Sequence, residues 1–398
     1  MKAVVLAAGE GSRMRPLTEA CAKPMLPIAG RPLLEHVLDT AAPYVDGYVL
    51  VVGYRADGIR DHVGEEHLGK PVEYVEQSEQ LGTAHAVGQA AAYVDERFLV
   101  LNGDVVIPDD LVEDIVATRG PAMAVKPVDN PSAYGVIEQS GGRVTGIVEK
   151  PENPPTNLAN LGLYALPGSI FELIDGLTLS PRGEYELTDA LLDLVERGDS
   201  LAAVEYDGPW LDVGRPWELL DATELLLSDL DRRLDGDVEE GATIRGDVVV
   251  EDGARVRAGA YVEGPVLIQS GADVGPNSYV RGTTVIGPGA SVGNAVEIKN
   301  SILMAEANVN HLSYVGDSIL GQGVNFGAGT TVANLRHDDA NVKMRVKGEW
   351  VDTGRRKLGV VVGNGVKTGI NTSINAGVVL GSGVMTRPGE TVLRDQID

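Results

Sequence analysis

The chain has 398 residues, with 33 basic and 58 acidic side chains, a formal net charge of −25 and a pI near 4.6. This acidity argues against proteins that hold nucleic acids or anionic membranes by a general basic surface. At roughly 150 residues per domain, the length predicts two or three domains. Cys21 is the lone cysteine, and no apolar run approaches the roughly 20 residues that span a bilayer. Because the first residues also lack the basic start of a signal peptide, we expect a cytoplasmic protein.

The acidic residues are concentrated in the first part of the chain. Up to Asp237 there are 41 acidic and 18 basic residues, whereas from Val238 onward there are 17 and 15. Only 10 of the 33 basic residues are lysine. A lysine-poor, acidic surface is typical of halophilic proteins, because a high-salt cytoplasm screens the self-repulsion. An ordinary acidic enzyme is the alternative interpretation.

Apolar runs alternate with helical patterns in this first part. Lys2–Ala7, Gly47–Val52 and Phe98–Leu101 have the composition of buried parallel strands, and Arg31–Ala41 and Thr83–Ala92 have helical patterns. This alternation predicts an α/β, Rossmann-like, doubly wound sheet that binds ligands at the carboxyl ends of its strands.

A glycine-rich turn follows the first predicted strand, in the segment Leu6–Thr18 (LAAGEGSRMRPLT). Gly9 and Gly11 allow backbone N–H groups to face a phosphate. Arg13 and Lys23 add positive charge near the same oxygens. A turn that merely joins strand to helix is the alternative, but it does not require these charges at this spacing.

The segment LAAGxGxRMxPLT, followed by Lys23-Pro24, resembles the signature of sugar-1-phosphate nucleotidylyltransferases. The segment QSEQLGTAH (Gln77–His85) is similar to the base-reading segment of that family, although a helix start capped by Thr83 is an alternative. The resemblance implies that Arg13 and Lys23 are catalytic. It implies a nucleotide site made of Leu6, Ala8, Gly9, Gly11, Gln77, Gly82, Thr83 and Asp104.

A magnesium site is predicted beside the phosphates. Asp104 follows the strand ending at Leu101, and an aspartate at the carboxyl end of a central strand is well placed to hold Mg²⁺. The segment WLDVG supplies Asp212, which matches the second metal ligand of one branch of the family. With 58 acidic residues in the chain, this pairing depends on the motifs and not on charge.

The sugar pocket is also predicted by resemblance. The YG, EKP and N-x-G-x-Y segments place Gly135, Glu149, Lys150 and Asn160 in the sugar-binding site. Gly183–Asp189 (GEYELTD) resembles the segment that lines the same side of the cleft. The implied reaction is attack of the sugar-1-phosphate oxygen on the α-phosphorus of UTP or dTTP, with release of pyrophosphate.

A six-residue repeat dominates the second part. Leucines at helical spacing predict a linker helix over 215–237, after a nucleotidyltransferase domain over 1–214. From 238 to 398, aliphatic residues recur every six positions, which predicts a parallel β-helix that assembles as a homotrimer. We expect the register to slip near Asn310 and to return at Val362, and we expect Asn334–Leu358 to be a loop. The repeated positions are Val238, Ile244, Val250, Val256, Val262, Ile268, Val274, Val280, Ile286, Val292, Ile298 and Met304.

The whole chain resembles the archaeal form of the bifunctional branch, which acetylates glucosamine-1-phosphate and uridylylates the product. That β-helix is left-handed. The resemblance implies that His311 is the general base for attack of the sugar amine on acetyl-CoA, a task that suits a free pKa of about 6.5. The implied acetyltransferase site consists of Arg281, Lys299, Tyr314, Asn325, Ala328, Asn334 and Lys343.

The predicted loop is basic, with seven Lys or Arg side chains against four acids. Coenzyme A carries phosphates that such a loop can bind, although a solvated loop or a trimer contact is an alternative. Ile370 stands where bacterial members carry a serine.

Two other functions are left open. One is a monofunctional glucose-1-phosphate thymidylyl- or uridylyltransferase with a structural β-helix, and the other is a non-catalytic assembly subunit. Arg13, Lys23, Asp104 and Asp212 argue against the second. Neither the nucleotide base nor the amino sugar is fixed by the sequence.

Overall fold

The computed structural model describes residues 1–94 and 96–397. It contains two compact units. The first unit comprises Met1–Glu10, Ala22–Met25 and Pro32–Asp212, and the second comprises Gly11–Cys21, Leu26–Arg31 and the chain from Val213 onward. Residue 398, the expected end of the last domain, lies outside the described residues.

The first unit is built on a ten-stranded sheet. The three predicted strands are Lys2–Ala7, Gly47–Val52 and Phe98–Asn102, and the first pairs in parallel with both others. Their side chains are almost fully buried, because a sheet covered on both faces needs continuous apolar runs. The strand order is Gly135–Ser140, Arg143–Glu149, Ala202–Glu205, Ala122–Pro127, Leu158–Leu166, Phe98–Asn102, Lys2–Ala7, Gly47–Val52, Lys70–Glu76 and Glu66–His67.

The sheet is mixed, and the parallel strands predicted from the sequence make up only part of it. Leu158–Leu166 runs antiparallel to both Phe98–Asn102 and Ala122–Pro127. Its register shifts between Asn160 and Tyr164, around Gly162 with φ +75°. Strand–helix alternation ends before this point, so the parallel prediction applied only to the first strands.

Six α-helices flank the sheet among the described residues of the first unit. Two are shorter than predicted: the first begins at Leu33 because Arg31–Pro32 is a short strand, and the third ends at Gly88 before a 3-10 turn at Ala91–Tyr93. The helices are α1 (Leu33–Ala41), α2 (Ala56–Val63), α3 (Thr83–Gly88), α4 (Asp109–Ala117), α5 (Ile170–Asp175) and α6 (Leu187–Glu196).

Beyond Val213, the regular structure of the second unit begins with α7 (Glu218–Leu226), which covers part of the segment expected to be a linker helix. Strands start at Arg233–Leu234, earlier than the expected position 238. Three parallel sheets follow, and strands such as Thr243–Arg245 and Tyr261–Glu263 pair at a distance of 18 residues. This topology is consistent with a β-helix.

The three sheets are numbered in the order in which their first strands occur along the chain. Sheet I consists of Arg233–Leu234, Val248–Val250, Val266–Ile268, Thr284–Ile286, Ile302–Leu303, Ile319–Leu320, Val361–Val362 and Val379–Leu380. Sheet II consists of Asp237–Val238, Arg255–Val256, Asp273–Val274, Ser291–Asn294, Asn308–His311 and Asn325–Phe326. Sheet III consists of Thr243–Arg245, Tyr261–Glu263, Tyr279–Arg281, Glu297–Lys299, Tyr314–Gly316, Thr331–Val332, Ser373–Ile374 and Thr391–Val392.

The repeat slips earlier than predicted. Ile286 pairs with Leu303 and not with Met304, and Leu303 is the residue buried in the core. Leu303 on sheet I therefore follows Ile298 on sheet III by five positions. One coil later, Leu320 on sheet I again follows Val315 on sheet III by five positions. Two successive coils are therefore one residue short at the same corner, after sheet III, and we call these the short corners.

The predicted loop Asn334–Leu358 leaves the coils and contains a β-hairpin, Lys343–Val346 with Glu349–Asp352. Its base is closed by a bridge between Leu335 and Lys357. Arg355 of this segment pairs with Asp221 of α7 and, at 3.6 Å, with Glu224.

Within the described part of the chain, no helix combines the length and apolar character needed to cross a bilayer.

Candidate active sites

A cavity of about 300 Å³ in the first unit collects most of the predicted nucleotide-binding residues. Its walls come from the ends of the parallel strands and from the start of α3. Gln80 and Glu184 were not named as site residues, although they lie in the predicted segments QSEQLGTAH and GEYELTD; Gln80 Nε2 donates to Ala8 O at 2.8 Å. The lining residues are Leu6, Ala8, Gly9, Gln77, Gln80, Gly82, Thr83, Ala86, Asn102, Asp104 and Glu184.

The amide of Gln77 is held in one orientation. The side chain is 5% exposed, and its Nε2 donates to Gly82 O at 3.2 Å and contacts His85 Nδ1 at 3.0 Å. A backbone carbonyl accepts only from the amide nitrogen, so the carbonyl Oε1 is the group that Gln77 can offer to a ligand.

Gly82 and Thr83 connect this cavity to the GEYELTD segment. Gly82 has φ +113°, and a Cβ atom there would lie 2.7 Å from Tyr185 N. Thr83 Oγ1 accepts a hydrogen bond from Leu187 N at 2.9 Å, at the start of α6. The Thr83 hydroxyl therefore caps a helix and keeps only its own proton for a ligand.

Lys23 and Asp104 form an ion pair, although their motifs are far apart in the sequence. Lys23 is 6% exposed, and a buried ammonium group is costly unless it is paired. Gly103 lets the turn before Asp104 approach the first strand, since a Cβ atom there would lie 2.7 Å from Leu6 O.

The two predicted metal ligands lie on paired strands. Leu211–Asp212 is antiparallel to Val105–Val106, and Asp212 stands opposite Val105, the residue after Asp104. Two carboxylates are a sufficient protein contribution for Mg²⁺, which takes further oxygens from phosphates and water. Among the described residues there is no cluster of three or more carboxylate, histidine or cysteine ligands.

Gly11 and Arg13 belong to the second unit. Gly11 has φ +64° and accepts hydrogen bonds from Met14 N at 2.8 Å and Thr18 Oγ1 at 2.9 Å. Arg13 lies against Gly214, where a Cβ atom would be 3.2 Å from Arg13 Nη2.

Three of the predicted sugar-binding residues meet at Gly135. A Cβ atom at Gly135 would lie 2.9 Å from Glu149 Oε2 and 3.6 Å from Asn160 Cβ. Lys150 Nζ is 3.6 Å from Glu149 Oε1. The Asn160 side chain is tied internally, since its Nδ2 donates to Tyr164 Oη at 2.6 Å.

Sequence reasoning did not single out the other partners of Glu149. Arg182 Nη1 donates to Glu149 at 3.3 Å and to Glu186 at 2.9 Å, and Thr188 Oγ1 donates to Glu149 at 3.2 Å. Burial, and then the charge of Glu149, raises the pKa of Glu186 above its ordinary value of 4.5. The same two causes raise the pKa of Asp189. The family-like GEYELTD segment was the available signal for Glu186, Thr188 and Asp189, whereas Arg182 precedes it.

In the second unit, predicted acetyltransferase residues stack on sheet III. Arg281 pairs with Lys299 in register, one coil apart, and Arg281 Nε donates to Glu297 Oε1 at 2.9 Å. Tyr314 lies on the next coil, and its hydroxyl accepts from Asn334 Nδ2 at 3.1 Å. An open cavity of about 510 Å³ reaches Tyr314 and Glu297 on this face.

Asp317 joins these side chains and was not predicted. It is 3% exposed, and both carboxylate oxygens contact Lys299 Nζ, at 3.0 and 3.1 Å. It also accepts from Asn334 Nδ2 and, at 3.0 Å, from Asn300 Nδ2. Burial, and then the Asp317 charge, raises the pKa of Tyr314.

The remaining predicted residues lie elsewhere on the second unit. His311 ends a strand of sheet II and is exposed, and its backbone oxygen accepts from Gly329 N at 3.0 Å, beside Ala328. Asn325 is an exposed residue of sheet II, in register with Asn308. The coils thus bring together Arg281, Lys299, Tyr314 and Asn334, and they put Asn325 on a different sheet.

Lys343 lies on the hairpin and lines a cavity of about 900 Å³. The wall carries three further basic side chains and one acid, and Arg345 stacks over the Trp350 ring at 5.1 Å. The lining residues are Arg336, Val342, Lys343, Arg345, Trp350, Asn375, Ala376, Gly377, Val378, Leu393, Arg394 and Asp395.

Two protein families match successive parts of the chain. Residues 2–229 match the nucleotidyl transferase family, and residues 262–388 match the family described as GMPPB C-terminal domain. A solved structure from Bacillus anthracis, described as a glucose-1-phosphate thymidylyltransferase, has a TM-score of 0.54 and 29% identity. That likeness covers 58% of this chain and 97% of the solved chain.

Two archaeal relatives match over almost the whole length. The bifunctional protein GlmU of Methanocaldococcus jannaschii is 44% identical over 383 residues, which covers 96% of this chain and 92% of that protein. The bifunctional sugar-1-phosphate nucleotidylyltransferase/acetyltransferase of Sulfurisphaera tokodaii is 38% identical over 407 residues, covering 99% and 98%. These relatives confirm the resemblance predicted from the motifs. The chain therefore belongs to the nucleotidyl transferase family and, within it, to the bifunctional sugar-1-phosphate nucleotidylyltransferase/acetyltransferases.

Proposed function

We propose that this chain carries out two steps of UDP-N-acetylglucosamine synthesis: N-acetylation of glucosamine-1-phosphate by acetyl-CoA, and uridylyl transfer from UTP to the N-acetylated product. The observation that carries the proposal is the convergence of motif residues within each unit. Seven predicted nucleotide-binding residues line one cavity, and Lys299, Tyr314 and Asn334 are joined through hydrogen bonds around Asp317.

Gln77 supports recognition of uracil or thymine. With Oε1 as the group offered to a ligand, Gln77 accepts the N3–H of either base, whereas N3 of cytosine is an acceptor. Both UTP and dTTP satisfy this contact, and competition between the two nucleotides decides between them.

Asp104 and Asp212 fit a Mg²⁺ ion. Their hard oxygens suit Mg²⁺, and the strand pairing brings their backbones to neighbouring positions. When bound, the ion would neutralise charge on the triphosphate. Lys23 already lies against Asp104 and supplies a fixed positive charge at the same carboxylate.

The uridylyl step needs no protein nucleophile. The sugar-1-phosphate oxygen attacks the α-phosphorus, a new P–O bond forms, and the bond to the leaving pyrophosphate breaks. Catalysis is positioning and charge stabilisation, by Lys23 and, from its place in the motif, Arg13. Glu149 accepts sugar hydroxyl groups, Gly135 permits close approach, and Lys150 binds the sugar phosphate.

The acetyl step uses the second unit. The amine nitrogen of glucosamine-1-phosphate attacks the thioester carbonyl, forming a C–N bond, and the C–S bond breaks to release coenzyme A. His311 takes the proton that the amine loses, and this proton can then pass to the thiolate. Arg281 and Lys299 bind the sugar phosphate, while Tyr314, Asn325 and Asn334 orient the sugar, and Ala328 leaves room for the thiol arm.

The cavity at the hairpin suits the nucleotide end of coenzyme A. Its basic residues, including Lys343 and Arg345, match the 3′-phosphate and the pyrophosphate, and Trp350 offers a flat apolar surface. Its volume of about 900 Å³ is large enough for a nucleotide.

We further propose that the coils form a left-handed β-helix of hexapeptide repeats, with domains at 1–214 and 238–398 joined by 215–237, and that the chain is a homotrimer. Apolar side chains left exposed on the second unit support an assembly face; they include Leu312, Met385 and Leu393, 67–69% exposed. Mass measurement in solution tests the trimer, and a monomer at micromolar concentration contradicts it.

One assay matrix tests the two activities. Sugar phosphates are combined with UTP, dTTP or acetyl-CoA, and released pyrophosphate and free thiol are measured separately. We expect thiol release with glucosamine-1-phosphate and pyrophosphate release with N-acetylglucosamine-1-phosphate. Pyrophosphate release without thiol release would favour the monofunctional thymidylyl- or uridylyltransferase, and release of neither product would favour an assembly subunit.

A further inference from the structure

The buried Asp317 carboxylate lies at the centre of the proposed acetyl-transfer site. Removing a carboxylate from water is costly unless its oxygens are hydrogen-bonded, and Lys299, Asn300 and Asn334 supply those bonds. Two of these three side chains, Lys299 and Asn334, are the ones that the proposed function puts against the substrate. Asp317 therefore contacts two proposed substrate-binding side chains directly, which a surface acid does not.

The Asn334 amide uses both of its N–H groups inside the protein. One is donated to Tyr314 Oη at 3.1 Å and the other to Asp317. The carbonyl Oδ1 is therefore the group that this amide can offer to a ligand. An Oδ1 acceptor binds an N–H of the substrate amine and leaves the nitrogen lone pair free to attack the thioester. The reversed amide would donate to that lone pair and suppress the attack.

The backbone around Asp317 is shaped for this contact. Asp317 has φ +51°, a left-handed conformation that aspartate and asparagine tolerate better than most residues. Asp317 N donates to Lys299 O at 2.8 Å, and this hydrogen bond joins the two successive short corners. Gly316 makes room for the amide, since a Cβ atom there would lie 2.7 Å from Asn334 Nδ2.

We propose that Asp317 is a positioning residue for acetyl transfer, which holds the Asn334 carbonyl toward the amine and the Lys299 ammonium toward the sugar phosphate. This inference rests on the proposed acetyl transfer. Asp317 does not touch the substrate; it acts through Asn334 and Lys299, and its effect belongs to the amino-sugar side of the reaction and not to acetyl-CoA.

The test is Asp317→Asn, which keeps the shape but puts an amide N–H₂ group against donors. We expect kcat/KM for glucosamine-1-phosphate to fall about 100-fold, as a small misplacement of reacting groups does. KM for acetyl-CoA should stay within about twofold and pyrophosphate release should be unchanged. Asn300→Ala is the matched control, because it removes another donor to the same carboxylate, and it should cost less than about threefold.

A double-mutant cycle separates positioning from simple support of the fold. In an Asn334→Ala background, Asp317→Asn should cost less than about fivefold further, because the group it orients is gone. Equal losses in both backgrounds, or near-normal acetyl transfer by Asp317→Asn, would overturn the inference.

Controls for folding and for the underlying activity complete the test. The melting temperature and far-ultraviolet circular dichroism of each variant are measured, and a collapse of both in Asp317→Asn and in the milder Asp317→Ser assigns the residue to stability and overturns the inference. Absence of thiol release by the unmodified chain refutes the proposed acetyl transfer itself, and the inference falls with it.

Discussion

The two candidate sites are assembled in different ways. In the first unit, Gln77 and Asp104 each follow a parallel strand, and the carboxyl ends of the parallel strands lie at the same edge of the sheet. In the second unit, Arg281 and Lys299 come from successive coils and meet because the coils are in register. The residues of the first site therefore belong to short contiguous motifs. The residues of the second site are brought together by the regular spacing from one coil to the next. A substitution in one site should leave the reaction assigned to the other site unchanged, and the variants below test this expectation.

The largest effect is expected from Asp104→Asn. The variant removes one of two carboxylates suited to Mg²⁺ and the partner of Lys23, so pyrophosphate release should fall about 1,000-fold. Thiol release by the same preparation should be unchanged. Asp129→Asn, an exposed aspartate of the same unit, is the control and should keep both activities. Near-normal pyrophosphate release by Asp104→Asn would refute the metal assignment.

His311→Asn tests the opposite direction. Loss of a general base should reduce thiol release about 100- to 10,000-fold, with pyrophosphate release retained. His337→Asn, another exposed histidine of the second unit, should retain both activities. If the two histidine variants behave alike, His311 is not the base.

Lys343→Ala examines the cavity at the hairpin. Removing one cation from a phosphate contact should raise KM for acetyl-CoA about tenfold and leave KM for glucosamine-1-phosphate unchanged. An acetyl thioester without the nucleotide should be used equally well by variant and unmodified enzyme. Lys367→Ala is the exposed-lysine control. An equal loss with the truncated thioester would remove this cavity from coenzyme A binding.

Potassium chloride tests the uneven charge. The first part of the chain carries 41 acids against 18 bases, so molar KCl should relieve its self-repulsion and raise the melting temperature by roughly 5–10 °C. On heating in low salt, pyrophosphate release should be lost before thiol release. A flat or falling melting temperature would exclude the halophilic interpretation.

The smallest effect concerns Glu186, whose pKa is raised by burial and by Glu149. The folded protein binds this proton more readily than the unfolded chain, so stability falls as pH rises from 4.5 through the raised pKa. Glu186→Gln should therefore melt about 2 °C higher at pH 7 and show no gain at pH 4. Glu152→Gln, which is exposed, should show no such dependence. An equal gain at both pH values would point to packing instead of charge.

The sequence predicted those parts of the molecule in which neighbouring residues act together. The strands Lys2–Ala7 and Gly47–Val52 are continuous apolar runs, and the structure has the same bounds. Leu158–Leu166 was missed because its antiparallel pairing depends on distant strands, which no local pattern records.

Within the sites, the motifs led to Gln77 and Asp104 but not to Arg182 or Asp317. An ion-pair partner such as Arg182 is chosen by the fold, and one buried carboxylate among 58 acids has no sequence signal of its own. The early slip of the repeat marks the coils on which Asp317 lies, but it does not single out that residue.

The short corners also carry information about related chains. Spacing falls from six to five residues at two successive corners, and these corners hold Lys299, Asn300 and Asp317. Counting residues between aliphatic positions thus offers a way to sort homologues that share this architecture. Homologues that keep a spacing of six residues at every corner are expected to lack the carboxylate that orients the amide. Their coils are expected to serve assembly alone.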